Sequence, residues 1–201
     1  MPIHLQPLAG TAAPVAADAA RSRLRQATAD LHAQVDAMFP RGLGSALAYR
    51  RYVLGMHRFA VDYEIATMAL PRASAWLAQD LVALSQLPLP AHGTRSPLVD
   101  HAERLGWDYV MAGSSMGARV LLRDVGRLGF DASFGAVFLA RHASGADWPR
   151  VQSRLAELDA GDARRMAAAE AGARAAFALV RNCLERSFEA LHFSSDMEAS
   201  S

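Results

Sequence analysis

The segment Arg21-Ser-Arg-Leu24-Arg25-Gln-Ala-Thr28-Ala-Asp-Leu31-His32-Ala-Gln-Val35-Asp36 decides how this chain is read. Leu24, Thr28, Leu31 and Val35 recur at helical spacing, which predicts an amphipathic helix with one buried edge. His32 follows Leu31 and so sits at the margin of the apolar stripe. Asp36 lies one turn beyond His32 and Arg25 two turns before it, on roughly the same side. An imidazole at the edge of an apolar face, flanked by a carboxylate and a guanidinium, suits a haem. The imidazole would ligate iron, the carboxylate would orient the other ring nitrogen, and the guanidinium would meet a propionate. The same spacing also describes an ordinary boundary histidine beside an exposed helix charge.

A second segment is Leu105-Gly-Trp-Asp-Tyr109-Val-Met-Ala-Gly113-Ser114-Ser115-Met116-Gly117-Ala118-Arg119-Val-Leu-Leu122. It is helical in pattern on both sides of its middle, yet Gly113 and Gly117 stand one turn apart. Each interior glycine costs a helix about 1 kcal/mol relative to alanine, so something must offset them. Glycines at i and i+4 bare one face of the backbone to a flat partner and permit a bend. The alternative is close helix–helix packing through small residues.

Taken together, in this order and separation, the two segments resemble the haem oxygenase family. The first is similar to its proximal helix: a basic residue, Thr28, Leu31-His32, and an acidic residue one turn on. The second is similar to its bent distal helix. The Gly-Ser-Ser-Met-Gly-Ala form resembles the bacterial branch, including enzymes paired with bacteriophytochromes. The resemblance runs from about Arg21 to the expected Phe177–Leu191 helix.

That resemblance implies an all-α, single-domain fold with haem between a proximal and a glycine-containing distal helix. It implies His32 as the iron ligand, Asp36 as the partner of the outer imidazole nitrogen, and Arg25 as a propionate contact. Thr28, Tyr109 and Ala118 would contact haem, Phe177 would wall the pocket, and Arg150 or Arg154 would supply a second propionate partner. Gly113, Ser114 and Gly117 would form the catalytic distal face. The implied activity is cleavage of haem to biliverdin with release of iron and carbon monoxide, haem being both cofactor and substrate. Dioxygen and electrons from a ferredoxin, flavodoxin or reductase would be consumed. The product would serve a bacteriophytochrome or an iron supply. Animal members carry an aspartate where this chain has Ser114, and many members carry glycine where it has Ala118. Two rival readings are a haem carrier or sensor on the same fold and a cofactor-free all-α interaction module.

Composition narrows the alternatives. The 201 residues suffice for one domain with a substantial core, and 52% are hydrophobic. No apolar run reaches the roughly 18 residues that span a bilayer, so no membrane partner is expected. Basic and acidic residues nearly balance, 21 against 20, which argues against nucleic acid. Every basic residue is arginine, so anionic ligand groups must be met by guanidinium, backbone N–H, hydroxyl or imidazole. The single cysteine, Cys183, excludes an intramolecular disulfide and fits a reducing cytoplasm. It is expected in or near the core of the last helix.

Helical patterns dominate the rest of the chain. Residues 1–20 read as a poorly ordered leader, 21–193 as the helical domain and 194–201 as a frayed tail. Helices are expected near 46–69, 73–84, 97–128, 149–158 and 163–191, with Asp147 as an N-cap. No alternating strand pattern or internal repeat stands out. Among the seven histidines, His57 is the one serious rival to His32, and His101 and His142 are expected at the surface. There is no His-x-x-x-His pair, no phosphate-binding loop and no nucleophile elbow.

Overall fold

A computed structural model describes residues 12–93, 95–158 and 162–198. Its eight helices are α1 (Ala12–Ala37), α2 (Ala46–Thr67), α3 (Ala73–Ala83), α4 (His101–Gly113), α5 (Ser115–Gly126), α6 (Val137–Ser144), α7 (Asp147–Ala156) and α8 (Ala163–Glu198). The described residues form no strand beyond one isolated bridge, Asp131 to Gly135. No described helix is long and apolar enough to cross a membrane.

Helix α1 begins at Ala12, within the stretch expected as a leader. Alanine is the best helix former, and Pro14 falls in the first turn, where its missing N–H breaks no intrahelical bond. Ala20 is already fully buried. Residues 1–11 lie outside the described part. The last helix likewise runs on to Glu198, through much of the expected tail.

The long helix α8 is the spine: α4, α2 and α1 all pack against it. Its inner face carries Met166, Ala169, Ala173, Ala176, Val180, Cys183 and Leu184. Burial raises the Cys183 thiol pKa to about 11, as befits an inert core residue. Small residues let the backbones close in. A Cβ on Gly106 of α4 would stand 2.1 Å from the Ala169 carbonyl oxygen, and one on Gly172 of α8 would stand 2.1 Å from that of Glu103. Gly55 of α2 meets Leu184 in the same way. These are the glycines that pack helices, and the sequence reading did not single them out.

Buried carboxylates join the shorter helices. Glu64 of α2 accepts from the backbone N–H groups of Arg72 and Ser74 at the start of α3. Asp80 of α3 accepts from Val137 N–H at 2.8 Å and Phe138 N–H at 3.0 Å at the start of α6. Each satisfies helix-terminal donors that would otherwise be orphaned in the interior. Asp147 is not the N-cap of α7, which is Ala146. It lies in the first turn, where its carboxylate pairs with Arg72 and Arg150, favourable beside the helix dipole.

The α4–α8 contact makes a direct prediction. Gly106→Ala and Gly172→Ala each force backbone apart and are expected to cost at least about 2 kcal/mol. A fall in the urea midpoint at unchanged slope is the expected result.

Candidate functional site

Helices α4 and α5 are one rod broken at Ser114, a residue with helical dihedrals (φ −63°, ψ −18°) in the turn between them. The serines account for the break. Ser114 Oγ donates to the Met111 carbonyl at 2.8 Å, and Ser115 Oγ donates to that of Ala112 at 2.6 Å. Side chains that bond carbonyls three residues back compete with the helical ladder and bend it.

Beneath the break lies a cavity of about 730 Å³, walled mostly by apolar groups. From α1 it receives His32, Val35 and Asp36. From α4 and α5 it receives Tyr109, Val110, Gly113, Ser114, Met116 and Gly117, and α8 contributes Phe177, Val180 and Leu184. A Cβ on Gly117 would meet nothing within 4 Å, and one on Gly113 would make an ordinary 3.6 Å contact with Trp148. Close helix packing therefore does not explain this glycine pair. The bare backbone at Gly117 faces open space.

On the opposite wall His32 Nδ1 lies 2.9 Å from Asp36 Oδ2. An ionised carboxylate only accepts, so Nδ1 carries a proton, and in the neutral ring this leaves the lone pair on Nε2. The imidazole packs tilted against Phe177, with ring centroids 5.6 Å apart. Although α1 is a surface helix and His32 is 61% exposed, its ring borders the cavity. Arg25 does not line the cavity, but its charge and that of Arg21 act on Tyr109, whose pKa burial nevertheless raises. Tyr109 itself packs against Trp148, centroids 5.8 Å apart.

The remaining expected contacts lie elsewhere. Thr28 is buried, and its hydroxyl donates to the Leu24 carbonyl at 2.8 Å, so this residue belongs to the core and does not line the cavity. Ala118 is likewise buried in the core. Arg150 and Arg154 point away: they pair with Asp147 and Asp108 and line a second, more polar cavity of about 380 Å³. The cause is helical phase. α7 turns Trp148 to the first cavity, and positions two and six residues on fall on its other side. His57 is buried on α2 but lines neither cavity, and its Nδ1 has no hydrogen-bond partner.

His142 is also buried, 5% exposed, against the expectation of a surface residue. Its ring stacks on Phe138 and meets Ser114 Oγ at 2.8 Å. The sequence offered little signal for this contact, because 28 residues separate the partners. Met56, Phe59 and Trp148 were equally hidden as parts of the first cavity's wall, since an apolar stripe reads the same whether it faces a core or a cavity.

The apolar walls, the imidazole with a free Nε2 and the uncovered backbone opposite fit a flat, largely apolar macrocycle with a metal at its centre. Among the described residues no cluster of three or more His, Cys, Asp or Glu is placed to hold a bare metal ion.

No family profile and no curated protein sequence matches the chain. The fold does match a solved structure, that of NO- and CO-bound haem oxygenase from Neisseria meningitidis, with a TM-score of 0.64 and 25% identity. The match covers 85% of this chain and 92% of that one. The chain thus has the haem oxygenase fold, all-helical as its sequence pattern indicates.

The two buried histidines set an acid limit on stability. Burial lowers the pKa of both His57 and His142. Each binds its proton more readily in the unfolded chain, so its contribution is complete above the ordinary histidine pKa of about 6.5 and is lost as pH falls through the lower folded values. The melting temperature is expected to drop between pH 7 and pH 5, and His142→Gln is expected to flatten that drop.

Proposed function

We infer that this protein binds haem in the first cavity and degrades it oxidatively to biliverdin. The observation that carries this reading is the pairing of a carboxylate-oriented imidazole with bare glycine backbone across one apolar cavity. When bound, haem supplies the iron that activates dioxygen and, as substrate, the ring edge that is cleaved, releasing iron and carbon monoxide. Electrons would come from a separate ferredoxin, flavodoxin or reductase.

The chain's own residues have distinct tasks. His32 would hold the iron through Nε2. Asp36 fixes the tautomer by accepting from Nδ1–H and raises the basicity of the ligand. Arg25 meets a propionate as the cavity's nearby guanidinium, and Tyr109 and Phe177 wall the ring. Gly113 and Gly117 would let backbone lie against the macrocycle and place no side chain of their own over its metal. Ser114 is the hydroxyl on that face. Helix α7 supplies no second propionate partner in this reading, because Asp108 and Asp147 hold its arginines.

Stoichiometric hemin is expected to give a Soret band. An electron donor in air, with catalase present, is then expected to bleach it with growth of a red absorption extractable as biliverdin. A band that only shifts to a ferrous form would mean a haem carrier or sensor, and an unpigmented protein would mean an interaction module. His32→Ala is expected to abolish the axial nitrogen signature, and Asp36→Ala to weaken iron ligation by about 10-fold to 100-fold. Gly117→Ala is expected to separate stability from function. It should raise the stability of the haem-free protein by up to about 1 kcal/mol and weaken hemin binding.

A further inference from the structure

Helix α4 is a partition. Tyr109, Val110 and Gly113 face the first cavity, while Asp108, Met111 and Ala112 face the second. One polar contact crosses it: Ser114 lines the first cavity, His142 lines the second, and Ser114 Oγ lies 2.8 Å from His142 Nε2. Ser114 and Tyr109 are the α4–α5 residues lining the first cavity whose side chains can form strong hydrogen bonds. The serine has one proton to give, and the Met111 carbonyl, 2.8 Å away, also invites it.

We propose that His142 is a positioning residue that makes Ser114 a hydrogen-bond donor into the first cavity. Nε2–H of His142 donates to Oγ and occupies one of its lone pairs. The single hydroxyl proton is then left to the Met111 carbonyl or, by rotation about the Cβ–Oγ bond, to a ligand held against Gly113 and Gly117. The opposite tautomer would do the reverse: a bare Nε2 would draw the hydroxyl proton away from the cavity.

The serine's own geometry favours the donating arrangement: Ser114 Oγ gives its proton to the Met111 carbonyl at 2.8 Å, which leaves its lone pairs to accept from His142. Burial lowers the pKa of the imidazole and so favours its neutral form, in which a single ring nitrogen carries hydrogen. Stacking on Phe138, with centroids 4.9 Å apart and planes 17° apart, fixes the ring's orientation. The charged groups acting on His142 are Asp147 and Arg72, which oppose one another. The two are themselves paired.

This inference rests on the haem-degrading reading, and its test separates the two. In the haem-free protein with 15N-labelled histidine, long-range 1H–15N correlation is expected to show His142 as the Nε2–H tautomer, with resonances that move in Ser114→Ala. The Nδ1–H tautomer would overturn the proposal without reference to haem. In the hemin-loaded, reduced protein, carbon monoxide serves as the probe, because its stretching frequency falls when a donor points at it. Ser114→Ala and His142→Leu are expected to raise that frequency alike and to slow single-turnover haem loss by roughly a hundredfold, the effect of losing one aimed donor. His142→Gln, whose amide N–H still donates, is expected to restore the frequency. A frequency unchanged in His142→Leu and in Ser114→Ala would overturn the proposal. Should His142→Leu fail to fold, the wild-type tautomer and Ser114→Ala still decide it. A wild-type protein with no Soret band defeats the functional reading instead.

Discussion

Everything that positions the cavity depends on how closely α4 lies against α8. Gly106 and Gly172 bring the two backbones into direct contact, with no room for a methyl group on either. Such a contact permits one register and one depth, unlike a layer of leucines that can slide or repack. Because α8 also carries α1 and α2, the same crossing sets the distance between His32 on α1 and the glycine backbone at the end of α4. The cavity is the space left between helices whose separation is fixed elsewhere.

The molecule uses glycine for two opposite ends. At Gly55, Gly106 and Gly172 the missing side chain is replaced by a neighbouring helix. At Gly117 nothing replaces it. An interior helical glycine without a packing partner is a standing cost to the folded state, and a cost of that kind accumulates at sites rather than in cores. The serines between the glycines belong to the same device. Their hydroxyls take up carbonyls at the break, and Ser114 is thereby held between a backbone acceptor and a buried histidine.

Arginine, the sole basic residue type here, is divided between the two sides of α4. Around the second cavity the guanidiniums of Arg72, Arg150 and Arg154 are matched by Asp147 and Asp108. Asp108 further accepts from Tyr63 at 2.7 Å. That network ties α2, α3, α4 and α7 together and leaves α7 presenting only Trp148 to the first cavity. No arginine of α7 is thereby left to the first cavity.

The sequence by itself determined the helical class, the helical edge bearing His32 and Asp36, and the bent glycine segment. These are local matters: turn spacing places Asp36 beside His32, and two glycines with two serines weaken one stretch of helix wherever it lies. What it left undecided was every question of which face looks where. Thr28 and Ala118 fit a motif yet point into the core, and Arg150 and Arg154 sit on a suitable helix yet turn to the far side of α4. His142 carries no local mark at all, and only the folding of α6 back onto α5 brings it to Ser114. Neighbouring turns are fixed by backbone geometry, whereas the direction of a side chain relative to a distant helix is fixed by packing. That packing was decided at Gly106 and Gly172, two glycines whose importance no spacing rule announces.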